Sequence, residues 1–95
     1  MERRSLPAGW DLNRIQEVGQ LRNEPRLLDP STVVTIETAD GPETVDATVI
    51  IDCGGLVLAL EPVDGHWLMG EVDDDGVVRC WAGYGSDLAE ALRSL

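Results

Sequence analysis

Four glycine-bearing turn signals, Asp40-Gly41, Gly54-Gly55, Asp64-Gly65 and Asp75-Gly76, cut the chain between Ser31 and Gly83 into short runs rich in β-branched and apolar residues. Runs of this kind between turn residues predict strands, at about 31–39, 44–53, 56–62, 67–73 and 77–83. Cross-strand partners must share a face, so each turn can be tested by what it brings together. Centring the first turn on Asp40-Gly41 sets Ile36 opposite Val45 and Val34 opposite Ala47, with Thr35 and Asp46 on the other face. Pro42 lacks an N–H and loosens that loop. Centring the second on Gly54-Gly55 pairs Cys53 with Leu56, Ile51 with Leu58 and Val49 with Leu60, continuing the same apolar face. The third connection, Val63-Asp64-Gly65-His66, is a turn of open register. In the fourth, Asp74-Asp75-Gly76 forms a bulged three-residue loop with Gly76 left-handed. Glu71 then opposes Arg79, Val72 opposes Val78, Gly70 opposes Cys80, and Met69 faces Trp81.

The period changes outside this region. Leu12, Ile15, Val18 and Leu21 recur as one stripe of a helix over about 11–24, which Asp11 caps and Pro25 ends. Arg26-Leu27-Leu28-Asp29-Pro30 reads as a packed connector. A short helix over about 86–95 starts at a Ser86 cap and carries Leu88, Leu92 and Leu95 on one stripe, with Asp87 and Glu90 at the positive end of its dipole. The expected architecture is α+β, one domain over 1–95: an antiparallel five-stranded meander flanked by an N-terminal and a C-terminal helix.

Charge narrows the function classes. Residues 1–26 balance five arginines against four acids, whereas 27–95 hold fourteen acids against Arg79 and Arg93; +1 and −12 sum to the net −11. So negative a chain repels phosphate backbones and anionic lipid, which argues against direct nucleic-acid or membrane binding, and attracts a basic protein. Acidity without lysine also fits a GC-rich or salt-adapted proteome in which charge serves solubility. No apolar run reaches the roughly 18 residues of a membrane span, and MERRSLPAGW has no apolar segment behind its charges, so a cytoplasmic protein is expected. Cys53 and Cys80, in apolar surroundings without a CxxC pattern, read as buried reduced thiols.

The acidic run EVDDDG (71–76) imitates the opening of a calcium loop, but Ala82 stands where the bidentate glutamate is required and the flanks are strands. A turn accounts for the same residues, with the carboxylates left in water. His66 is the only histidine, and no nucleophile, phosphate-loop or zinc pattern surrounds it, so neither an enzyme nor a cofactor is implied. Trp67, Met69 and Trp81 fall on one face with Tyr84 nearby. That face is either an interface patch rimmed by Glu71, Asp73, Asp74 and Asp75, or the bed of a helix.

The leading DLNRIQEVGQLRNEP, the strand RLLDPSTVVTIE and the closing CWAGYGSDLAEALRSL together resemble the small acidic immunity proteins of bacterial polymorphic-toxin systems. That resemblance implies an inhibitor which occludes the basic cleft of a cognate nuclease or deaminase toxin. The residues themselves nominate Glu71, Asp73, Asp74 and Asp75 as electrostatic contacts and Trp67, Trp81 and Tyr84 as anchors. Alternatives are a phage-type nucleic-acid mimic and a structural subunit or homodimer joined through an edge strand or the aromatic patch.

Overall fold

The computed structural model of the chain describes residues 6, 9–29, 31–62 and 65–94. In chain order it holds α1 (Leu12–Gly19), β1 (Arg26–Leu27), β2 (Val34–Thr38), β3 (Gly41–Val45), β4 (Val49–Asp52), β5 (Val57–Glu61), β6 (His66–Val72), β7 (Val78–Gly83) and α2 (Leu88–Arg93). The class is α+β, but the sheet is a seven-stranded mixed one in the order β1-β4-β5-β6-β7-β2-β3, not a five-stranded antiparallel meander. The expected strand at 44–53 is two strands that lie far apart in the sheet, and Arg26-Leu27, expected as connector, is a short strand on β4.

Burial explains this order. β4 and β5 bury apolar side chains in succession, Val49-Ile50-Ile51 and Val57-Leu58-Ala59, so both of their faces must be covered and they belong in the middle. β3 exposes Pro42, Glu43 and Thr44 and suits an edge. The β2–β3 hairpin therefore leaves β4 and docks on β7, where β2 runs parallel with Val34 beside Val78 and Ile36 beside Cys80.

Only Asp46, Ala47 and Thr48 join β3 to β4. Four Cα steps reach about 14 Å, whereas five strand spacings of a flat sheet span roughly 24 Å. The sheet must therefore curl until its two ends approach. Curling creates an inner face, filled by Val34, Ala47, Ile50, Val57, Ala59, Leu68, Val78 and Cys80. The outer face of β4–β6 carries Val49, Ile51, Cys53, Leu58, Trp67 and Met69, over which α1 and α2 lie with Ile15, Leu88, Ala91 and Leu92. The apolar set expected to run along one face is thus split: Val34 and Ala47 point inward, Val49 and Ile51 outward.

Local chemistry sets most boundaries. Asp11 caps α1 by accepting from the Arg14 N–H at 2.8 Å. The helix ends at Gly19, six residues before Pro25, because Gln20 turns left-handed (φ 53°). The Leu21 and Gln20 N–H groups then donate to the Gln16 and Glu17 carbonyls, a Schellman closure. α2 is capped by Asp87 rather than Ser86: its carboxylate, one residue closer to the helix, accepts from the Ala89 and Glu90 N–H groups. Leu95 of the expected stripe lies outside the described residues.

The Gly54-Gly55 hairpin has the expected register, Val49 with Leu60 and Ile51 with Leu58, and both glycines take positive φ (87° and 127°), which a two-residue turn of this hand requires. The first hairpin turns one residue earlier than expected, on Ala39-Asp40 in place of Asp40-Gly41. Val34 opposes Val45 and Thr38 opposes Gly41, while Ile36 meets Glu43 and Thr35 meets Thr44. The Thr38 hydroxyl fixes this turn, donating to the Gly41 carbonyl and accepting from the Asp40 N–H. Gly65 and His66 close the third connection, whose Val63 and Asp64 lie outside the described residues, with His66 opposite Glu61.

Candidate functional site

The helices cover only part of the outer face. Over β4, β5 and the start of β6 they bury Trp67 (1% exposed) and Met69. Beyond Met69 the outer face continues as Glu71 on β6, Arg79 and Trp81 on β7, Thr35 and Glu37 on β2, and Pro42 and Thr44 on β3. Here Trp81 stands 51% exposed, the most exposed large apolar side chain among the described residues.

A β-bulge explains this placement. The β6–β7 hairpin keeps the expected pairs Val72–Val78, Glu71–Arg79 and Gly70–Cys80, then slips so that Met69 opposes Ala82 and Trp81 is the unpaired extra residue. Met69 and Trp81 are therefore not cross-strand partners, and the aromatic face expected as one patch divides at the bulge. Gly70 makes the slip sterically feasible: a Cβ there would run into the Arg79 carbonyl oxygen and come within 2.6 Å of the Cys80 Cα.

Around Trp81 runs an open groove of about 470 Å³, lined by Glu37, Glu71, Val72, Asp73, Asp74, Arg79 and Cys80 as well. Of the nominated residues, Glu71, Asp73, Asp74 and Trp81 meet there. Asp75 sits exposed at the hairpin tip outside the groove, Tyr84 is half-buried against the helix-covered core, and Trp67 lies inside that core. Trp67 is therefore a core residue and no surface anchor: its side chain belongs to the helix-covered cluster, its backbone N–H donates to the Gly85 carbonyl and its carbonyl accepts from the Tyr84 N–H. Val72 opposes the buried Val78 yet is 41% exposed at the end of the hairpin.

The four acids of the run differ in duty. Asp73 Oδ1 accepts from the Asp75 and Val77 N–H groups, at 2.9 and 3.0 Å, and its Oδ2 receives the Arg79 Nε–H. The Val77 N–H and then the Arg79 guanidinium hold its carboxyl below the ordinary 3.8. Asp73 is thus a brace of the turn and not a free contact, a correction to the picture of four equally hydrated carboxylates. Arg79 is in turn held above its ordinary value by Asp73 first, with Asp75 and Glu37 adding to it. Glu71, Asp74 and Glu37 leave the groove net negative beyond that pair.

Glu37 escaped sequence reasoning. It stands next to Trp81 only because β2 lies parallel to β7, a contact that no hairpin spacing encodes.

A second concavity of about 420 Å³ opens at the mouth of the curled sheet, with Ile36, Val45 and Leu68 inside and Glu43, Asp46, Glu61 and His66 at its rim. Among the described residues no three His, Cys, Asp or Glu side chains gather as a metal site. Cys53 and Cys80 lie on opposite faces of the sheet, and burial pushes their thiols up to about 12 and about 11, far from reactive thiolates. No helix among the described residues is long and apolar enough to cross a membrane. No protein-family model, curated protein or solved structure matches this chain.

Proposed function

We propose that this protein is an acidic protein-binding module, an immunity-type inhibitor that occludes the basic active-site cleft of a cognate bacterial toxin acting as a nuclease or deaminase. The observation that carries the reading is Trp81, half open to solvent in a groove whose other walls include Glu37, Glu71 and Asp74. Interfaces concentrate binding energy in an aromatic centre that becomes desolvated, with a charged rim that guides encounter. The net charge of −11 supplies the long-range field. In the complex the groove carboxylates take the positions that substrate phosphates would occupy in the cleft, and the indole supplies the apolar centre. The groove stands on paired strands, so little ordering is needed on association.

The test is calorimetric titration of a purified cationic toxin nuclease domain, run beside its cleavage assay. Stoichiometric inhibition is expected, with affinity falling as salt rises. A Glu71→Lys, Asp74→Lys double variant is expected to weaken binding by about tenfold or more and to flatten the salt dependence. Unchanged affinity and salt slope in that variant would discard the reading.

A further inference from the structure

We infer that the Trp81 groove is built to hold an arginine side chain of the partner, its guanidinium stacked on the indole and bridged to Glu37 and Glu71. This rests on the binding-module reading and specifies the chemistry of its occupant.

Trp81 is the unpaired residue of a bulge, and Glu37, one residue past the Ile36–Cys80 pair of the parallel ladder, lines the same groove. Glu71 projects from β6 on the same face. Arg79 donates its Nε–H to Asp73, which ties that edge of its guanidinium to the turn, while Glu71 stands opposite it and Glu37 adds to its field. What is left is a half-exposed indole in a groove whose carboxylates, Glu37, Glu71, Asp73 and Asp74, outnumber Arg79, its one lining cation among the described residues.

A cation over an indole face gains from the ring quadrupole, and the gain grows once water is excluded. Arginine suits this site better than lysine. Its planar guanidinium can lie flat on the ring while its N–H groups fork to carboxylates at the edge, whereas an ammonium is a strongly hydrated point charge. The molecule contains an example of such stacking: the Arg14 guanidinium lies 4.7 Å from the centroid of Trp10. The occupant is a side chain on a loop or extended segment, since the groove is open along its length. Strand addition at the nearby edge is not favoured, because β3 carries Pro42 and Glu43 there.

The probe is a short capped glycine peptide bearing paired arginines, compared with its lysine and citrulline counterparts. The readout is the indole N–H resonance of Trp81, assigned by its disappearance in Trp81→Phe. Saturable movement of that resonance with the arginine peptide is expected, with the Trp67 signal still. The lysine peptide should bind several-fold more weakly and the citrulline peptide should leave the resonance in place. In calorimetric titration, which needs no reporter ring, Trp81→Ala should weaken the arginine peptide by roughly 3- to 30-fold, and Glu37→Gln with Glu71→Gln should weaken it while leaving the fold intact by circular dichroism. Equal binding of the arginine and lysine peptides with no loss in Trp81→Ala would overturn the inference, reducing the site to unspecific charge attraction. A toxin domain that binds Trp81→Ala and Glu37→Gln undiminished would overturn it too, leaving the binding-module reading intact. An arginine peptide that binds as described while cationic toxin domains do not would support the inference and remove the immunity reading.

Discussion

Trp67 and Trp81 stand on the same outer face of one sheet, yet one is sealed under two helices and the other is open to solvent. The difference already shows in the burial of their strands, four buried residues in succession from Trp67 to Gly70 on β6 against alternation at the start of β7. It comes from the size of the helices. Eight residues of α1 and six of α2 are enough to cover β4, β5 and the start of β6, and no more. The inner face needs no helix at all, because the curl of the sheet closes it. The helices thus cover the most apolar strands and leave the β7–β2–β3 part of the outer face uncovered.

The contrast can be broken most directly at Trp67. Trp67→Ala is expected to cost about 3–5 kcal/mol in urea unfolding, as large deletions from a packed core do. A loss below about 1 kcal/mol would mean that the two halves of the face are equivalent after all. The boundary between them is tested next by Gly70→Ala. Its Cβ meets backbone, not a flexible side chain, so the expected cost is about 1–3 kcal/mol, accompanied by movement of the Trp81 indole resonance as the bulge shifts.

A smaller effect is expected from acid. In Asp52, partial burial pushes the carboxyl up, but the Gly54 N–H, Arg26 and the Gly55 N–H together outweigh it, and Asp73 is lowered by its own partners. Groups depressed in the folded state contribute stability that is whole above their unfolded value, about 4, and is lost as pH falls through the lowered folded value. Urea midpoints measured from neutral pH downward should therefore drop below about pH 4. Asp73→Asn should flatten that acid limb and lower the neutral-pH midpoint by less than Gly70→Ala does. Smallest in stability is Trp81→Ala, expected within about 0.5 kcal/mol of the parent. It is also the variant expected to lose partner binding, so a stability loss as large as that of Trp67→Ala would show that Trp81 belongs to the core.

The hairpins at Gly54-Gly55 and Asp73–Val77 were legible in the sequence, because glycine geometry and short-range pairing fix them locally. The first hairpin was found but misregistered, since the Thr38 hydroxyl outweighed the Asp-Gly signal. Of the candidate site, Glu71, Asp74 and Trp81 were legible as a charged and aromatic constellation. Asp73 was misjudged because its hydrogen bonds to the turn are invisible until the loop closes. Glu37 was missed because it meets Trp81 across a parallel contact with more than forty residues between them.

By itself the sequence determined the class of fold, the α1 cap, the two-residue glycine turn, the pairing of Glu71 with Arg79 and the negative charge, all consequences of period, backbone geometry or composition over a few residues. Only the tertiary structure decided that the sheet curls, that the β2–β3 hairpin lies beside β7 and that the helices stop short of Trp81. Those outcomes depend on which strands must be buried on both faces and on how far a three-residue link can reach, and both are balances struck by the whole chain.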